Sequence, residues 1–307
     1  LGPRLVQLIP VSIGITIAVF FMIHAIPGDP AVVLLGSHYT PQAGEAIRNS
    51  LGLNQPLWTQ YLIFMRNLVH GNLGNSIFYN DTVLSVVLDR LPATLFLVCY
   101  AAVLAALIAI PSAVFAALHK DGVFDQTMRA ILLIAYGMPP FWIGIIFILV
   151  FSLHLRIFPV SGYGLSFPDH IRYLFLPALT ISLSFSTNLV RTLRNSVLAV
   201  LRAEYVDTAR IKGISRFAVL RGHILRNALL SVVTVFGINL AFLISGTVVI
   251  ENIFAIPGLG QLLVSSITQR DYPMVEGEAL IFAFLVISIN LLTDVAYAVL
   301  DPRVTYE

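Results

Sequence analysis

Few side chains in this 307-residue chain have the types and spacing that covalent chemistry needs. Its seven histidines stand at positions 24, 38, 70, 119, 154, 170 and 223, and no two are four residues apart, the helical spacing that lets a pair share a metal ion. The single cysteine, Cys99, lies in an apolar block, so neither a disulfide framework nor a paired-cysteine metal site is available. There is no G-x-x-x-x-G-K-[ST] loop to cradle nucleotide phosphates, no H-E-x-x-H helix and no G-x-S-x-G nucleophile turn. The chain thus offers no catalytic and no metal-ligating constellation, and no nucleic-acid partner is expected.

The polar residues that do cluster lie at 203–227, AEYVDTARIKGISRFAVLRGHILRN. Arg210, Lys212, Arg216, Arg221 and Arg226 stud this run, with Glu204, Asp207, Thr208 and His223 among them. Its apolar positions Val206, Ala209 and Ile211, then Phe217, Leu220 and Ile224, recur at helical spacing. Gly213 suits the end of one helix and Ser215 the cap of the next. Two short helices joined at a glycine are expected. The arginines suit anionic lipid headgroups; the paired periodicity and the small Ala209 suit a docked cytoplasmic protein.

Around this stretch the chain is built of long apolar blocks. It is 58% hydrophobic and 11% charged, with a mean hydropathy of +0.88, which places it in a membrane. Six blocks reach the roughly 20 residues a spanning helix needs: 5–26, 94–118, 130–153, 175–190, 229–249 and 279–300, the fourth being the shortest. The chain opens on Leu1, and its first block is too long, and lacks a small-residue cleavage site, for a signal peptide, so it reads as a retained helix. The expected organisation is a first spanning helix at 1–26, a cap of short helices at 27–92 and a five-helix core at 93–307 whose cytoplasmic loop occupies 194–227. Of the 18 basic residues, 12 fall in segments holding Arg4, Lys120, Arg129, the run from Arg191 to Arg226, and Arg303. By the positive-inside rule these segments and both termini face the cytoplasm, and the 27–92 cap faces outward.

Within the spans, Pro139-Pro140 must break helical bonding and kink the third block, as a structural feature or a gating hinge. Asn239, Ser245 and Thr247 in the fifth block suit either a polar path or interhelical hydrogen bonds. Asp294 in the sixth is expected to pair or to reach the nearby interface.

The core Asp207-Thr208-Ala209-x3-Gly213 resembles the E-A-A-x3-G coupling loop of permease subunits in binding-protein-dependent ABC importers. EYVDTARIKG followed by HILRN is similar to the form found in dipeptide, oligopeptide, glutathione and nickel permeases. Asp207 and Thr208 depart from the Glu-Ala of the sugar-type permeases, and Ser231 replaces the proline that tends to close the loop. The likeness extends along the chain through Pro27-Gly28-Asp29-Pro30-Ala31, Leu91-Pro92-Ala93-Thr94, Pro257-Gly258-Leu259-Gly260, Arg270-Asp271-Tyr272-Pro273 and Asp301-Pro302-Arg303.

The resemblance implies an all-α, type I ABC importer permease in a bacterial inner membrane, importing short peptides, with nickel and glutathione as rival substrates. It implies a homologous second permease, two ATPase subunits that bind ATP and Mg, and an external binding protein; the chain itself needs no cofactor. Glu204, Asp207, Thr208, Ala209, Arg210, Lys212, Gly213, His223 and Arg226 are the expected ATPase-coupling residues. Pro139, Pro140, Asn239, Ser245 and Thr247 are the expected path residues. An ion-coupled secondary transporter is the alternative from another class; it would want a mid-span carboxylate and an internal repeat.

Overall fold

A computed structural model describes residues 2–24, 30–36, 39–50, 52–203, 206, 211, 243–244 and 246–300. Nearly all of the 204–227 stretch, with Asn239 and Ser245, lies outside the described residues. The described chain is mostly helical. It forms α1 (Gly2–His24), α2 (Pro30–Leu35), α3 (Pro41–Ser50), α4 (Leu57–Val69), α5 (Val83–Leu118), α6 (Val123–Gly137), α7 (Pro140–Phe147), α8 (Phe167–Leu201), α9 (Leu259–Gln269) and α10 (Tyr272–Leu300), with a further helical run at 246–253. Two compact units emerge: residues 1–92 with 258–287, and residues 93–257 with 288–307.

In the first unit, Val83, Val87, Leu259, Leu262 and Met274 form a small apolar core. Within residues 27–92 the short helices α2, α3 and α4 are followed by an isolated bridge between Asn75 and Thr82. Helix α4 lies against α1 through a Thr16–Tyr61 hydroxyl pair at 2.9 Å and through Phe20 with Tyr61, ring centroids 5.4 Å apart. Asp271 closes the unit. Its carboxylate accepts the Ser76 hydroxyl at 2.5 Å and the Phe78 N–H at 3.1 Å, and also the Met274 N–H at 3.3 Å, capping α10.

The second unit is organised by α5 and α8. Along α5 the residues Ala93, Leu97, Ala101, Ala105, Ala109, Ala113 and Ala117 recur every four positions, and all are buried. Such a stripe of small side chains lets a neighbouring helix approach closely. Helix α8 does so: the Ser186 hydroxyl donates to the Ala105 carbonyl at 3.4 Å, and Ile181, Phe185, Leu189, Leu193 and Val197 lie buried in the same core. At Gly144 of α7, an added Cβ would stand 3.2 Å from Phe254 and 3.5 Å from Thr180. That spacing is why glycine sits there. Thr94 donates to the fully buried Glu251 at 2.7 Å.

Several expected spans shift. The second begins at Val83 rather than Thr94. The fourth, expected at 175–190, is one of the longest helices: α8 runs 35 residues, about 52 Å at 1.5 Å per residue. Its polar residues at Thr180, Ser182, Thr187 and Asn188 shorten the apolar window in the sequence. Three of these make no such demand on a partner, because Thr180, Ser182 and Thr187 donate to carbonyls of their own helix. The third span breaks where Pro139 and Pro140 predict. Helix α6 stops at Gly137, α7 restarts at Pro140, and the two segments bend by 104°. A π-helical turn, Ile148–His154, completes the second segment. Among the described residues, three helices are long and apolar enough to cross a membrane, and the bent pair makes a fourth if it is one span. The apolar part of α1, Ile9–Phe21, is shorter, and most of the fifth expected block lies outside the described residues.

Candidate functional site

Helix α8 leads straight towards the polar 204–227 stretch, so the residues that grip its end matter most. Its start is fixed by a capping box legible in Ser166-Phe167-Pro168-Asp169. The Ser166 hydroxyl accepts the Asp169 N–H at 3.4 Å, and the Asp169 carboxylate accepts the Ser166 N–H at 3.3 Å. The helix ends at Leu201, with Arg202 and Ala203 turning back onto the carbonyls of Ala199 and Val200.

Two turns before that end, Arg194 reaches across to Asp125 of α6. Its Nε donates to Oδ1 at 2.7 Å and its Nη2 to Oδ2 at 2.6 Å, the parallel fork that a guanidinium makes with a carboxylate. Asp125 is fully buried, and its Oδ2 also accepts Arg129 Nη2 at 3.0 Å and the Asp121 N–H at 3.0 Å. Asp121 itself has φ +60°, a left-handed turn conformation that aspartate tolerates, and it meets Arg129 at 3.2 Å and Lys120 at 3.7 Å. The turn between α5 and α6 is therefore tied to the last third of α8. Beside this pair lies a cavity of about 350 Å³, floored by Ala116 and walled by α6 and α8.

The expected site residues fall out as follows. Of the coupling set, Glu204, Asp207, Thr208, Ala209, Arg210, Lys212, Gly213, His223 and Arg226 lie outside the described residues; their described neighbour Val206 is buried in the core of the second unit. Of the path set, Pro139 precedes α7, and Pro140 lines a cavity of about 190 Å³ with Ile181, Ser184, Asn188 and Gly246. Thr247 is buried and donates to the Ile244 carbonyl of its own helix at 2.8 Å, away from that cavity. The structure brings Ser184 and Asn188 to Pro140 in a cavity whose lining does not include Thr247, while Asn239 and Ser245 lie outside the described residues.

Asp125 and Arg194 carry no motif that singles them out in the sequence, whereas Glu251 opens Glu251-x-Ile253-Phe254, one of the stretches similar to the permease family. A signal existed for the first: Asp125 and Arg129 stand four apart at a helix start, and an acidic residue amid a basic, interface-facing segment invites a partner. The partner's identity, 69 positions away, was not readable.

Among the described residues, long apolar helices are tied to one another by buried polar contacts, the build of an integral membrane helical bundle. The chain matches the family described as binding-protein-dependent transport system inner membrane component over residues 109–306, and the N-terminal counterpart of that family over residues 3–98. It belongs to this family of ABC transporter permeases, whose members are generally non-catalytic.

Among its relatives, a Brucella abortus protein named for a peptide transport system is 40% identical over 308 residues, covering 99% of this chain and 98% of the relative. The dipeptide transport system permease protein DppB of Escherichia coli K12 is 36% identical over 331 residues, covering 99% and 98%. The di/tripeptide transport system permease protein DppB of Pseudomonas aeruginosa is 38% identical over 328 residues, with the same coverage. Among solved structures, an inward-facing form of the MetNI methionine ABC transporter aligns with a TM-score of 0.58 at 17% identity, covering 70% of this chain and 96% of that one, a likeness of fold.

Proposed function

We propose that this chain is the half-path permease subunit of a short-peptide ABC importer in a bacterial inner membrane. The observation that carries the reading is full-length likeness, at 36–40% identity, to relatives named for peptide, dipeptide and di/tripeptide systems. That favours peptides over nickel and glutathione, and family membership leaves the secondary transporter without support. The chain spans the membrane six times with both termini in the cytoplasm and α2–α4 outside. A second, homologous permease completes the path, an external binding protein delivers the peptide, and two ATPase subunits bind ATP and Mg.

The coupling residues 204–226 enter an ATPase groove. Asp207 and the basic residues set its orientation, Ala209 allows close approach, and Gly213 supplies the tight turn. Closure of the ATPases moves this stretch, and α8 follows as a rigid rod because it is unbroken to Leu201. The Asp125–Arg194 fork then drags the α5–α6 turn with it. The bend at Pro139-Pro140 is where the third span yields.

The test is reconstitution of the complete complex in liposomes, with labelled dipeptide uptake and ATP hydrolysis read together. Gly213→Val or Asp207→Lys leaves assembly intact and separates hydrolysis from uptake. Normal uptake in both variants sinks the docking role, and uptake of nickel but not peptide would reassign the substrate.

A further inference from the structure

The cavity beside the Asp125–Arg194 pair holds more positive charge than its own residues consume. Three guanidiniums line it, those of Arg129, Arg191 and Arg194. Arg194 is spent on Asp125, and Arg129 is shared between Asp121 and Asp125. Arg191 is exposed, and among the described residues its side chain has no hydrogen-bond or ion-pair partner.

On the same face of α8, Asn188 lies three residues before Arg191 and Asn195 four after, and neither amide has a side-chain partner among the described residues. Asp125 is the cavity's one carboxylate, and it is already filled by two arginines and a backbone N–H. No uncommitted carboxylate is left in its lining to pair with the ammonium of a zwitterionic headgroup.

Further along α6 the wall becomes apolar. Leu133 is 74% exposed and Tyr136 67% exposed. From Asp125 to Tyr136 the helix rises about 16 Å at 1.5 Å per residue, so charge, amides and apolar surface succeed one another over roughly the depth of a phospholipid's headgroup and upper chains. A soluble phosphate would use the first of these and leave the last in contact with nothing.

We propose that this cavity binds an anionic phospholipid, its phosphate on Arg191 beside Asn195, its ester carbonyls level with Asn188, and its acyl chains along Leu133 and Tyr136. The inference rests on the orientation proposed above, which places Arg191 at the cytoplasmic leaflet, where anionic lipids meet basic side chains. The lipid sits against the helix that runs into the coupling stretch.

The experiment uses the complete importer in nanodiscs of equal phosphatidylcholine and phosphatidylglycerol, exchanged into detergent and weighed by native mass spectrometry for retained lipid. The wild type keeps phosphatidylglycerol in preference to phosphatidylcholine. Arg191→Gln lowers that retention about fivefold, the worth of one basic side chain at an anionic surface, whereas Arg191→Lys keeps most of it. Because Arg191 is not part of the Asp125 fork, the melting midpoint of Arg191→Gln stays with the wild type.

Equal retention in wild type and Arg191→Gln overturns the proposal, as does equal retention of the two lipids. Displacement of the lipid by millimolar inorganic phosphate makes the site a soluble-anion site instead. A photocrosslinker at Leu133 that captures the second permease rather than lipid makes the wall a protein interface and overturns it too. Peptide-stimulated ATP hydrolysis, measured on the same preparation with its binding protein, reports on the importer reading separately. Turnover without selective lipid retention overturns this inference alone, and lipid retention without peptide-stimulated turnover overturns only the importer reading.

Discussion

Asp125 in the second unit and Asp271 in the first are both buried, and both join stretches of chain far apart in sequence, 69 residues from Asp125 to Arg194 and 195 from Ser76 to Asp271. Their partners differ in kind. Asp125 faces two guanidiniums, so each side of the contact is a charge that depends on the other. Asp271 is held by a hydroxyl and two backbone N–H groups, all neutral. Removing a partner of a buried charge strands the other charge in a low-dielectric interior, whereas removing a hydrogen-bond acceptor strands only dipoles. The contact at Asp125 therefore behaves as an all-or-none tie between α8 and the α5–α6 turn. The contact at Asp271 behaves as a graded helix cap that sets how the Ser76–Phe78 turn meets the start of α10.

The contrast breaks most visibly at Arg194. Asp125→Ala leaves Arg194 without its fork, and a loss of about 3–5 kcal/mol is expected, read as a lowered melting midpoint and poor assembly in detergent. The exchanged double variant Asp125→Arg with Arg194→Asp recovers part of the loss, and if it is no better than either single change the contact is not a charge tie.

Asp271→Ala comes next, at about 2 kcal/mol for a lost cap and the donors left unpaired. Asp271→Asn keeps an acceptor and costs less, whereas Asp125→Asn does not rescue its own site; similar outcomes at the two positions would erase the distinction between them.

Close packing gives a third measure. Gly144→Ala pushes a methyl against Phe254 and Gly277→Ala one against Val83, each costing about 1–3 kcal/mol by overpacking. Gly144→Ala is expected to lower the melting midpoint of the second unit, and a neutral result would mean that Phe254 moves aside freely.

The smallest effect is at the exposed capping box of α8. Ser166→Ala costs about 1 kcal/mol or less, and hydrogen exchange should rise only in the first turn of that helix. Protection lost as far as Arg194 would mean the ion pair does not hold the far end independently.

Much of this architecture is readable from local pattern. The apolar blocks announce helices, Pro139-Pro140 announces the break, and Ser166 with Asp169 announces a capped start. The four-residue spacing of Ala101, Ala105, Ala109, Ala113 and Ala117 stands in the sequence too, although within an apolar block it reads only as membrane. The apolar window at 175–190 understates α8 because hydropathy treats a hydroxyl as exposed polarity. In the fold, Thr180 and Ser182 return their hydrogen bonds to their own backbone and are buried. The family resemblance rests on short motifs in a fixed order along the chain, which are readable without knowledge of tertiary neighbours.

By itself the sequence determined the helical membrane class, the break at Pro139-Pro140 and the transport family, because hydrophobic periodicity, proline's missing N–H and ordered local motifs need no knowledge of neighbours. Only the tertiary structure decided that Asp125 takes Arg194, that Glu251 takes Thr94 and that Asp271 takes Ser76. A helical repeat says which face a side chain occupies but not which helix will lie against that face, and a buried charge is defined by that neighbour alone.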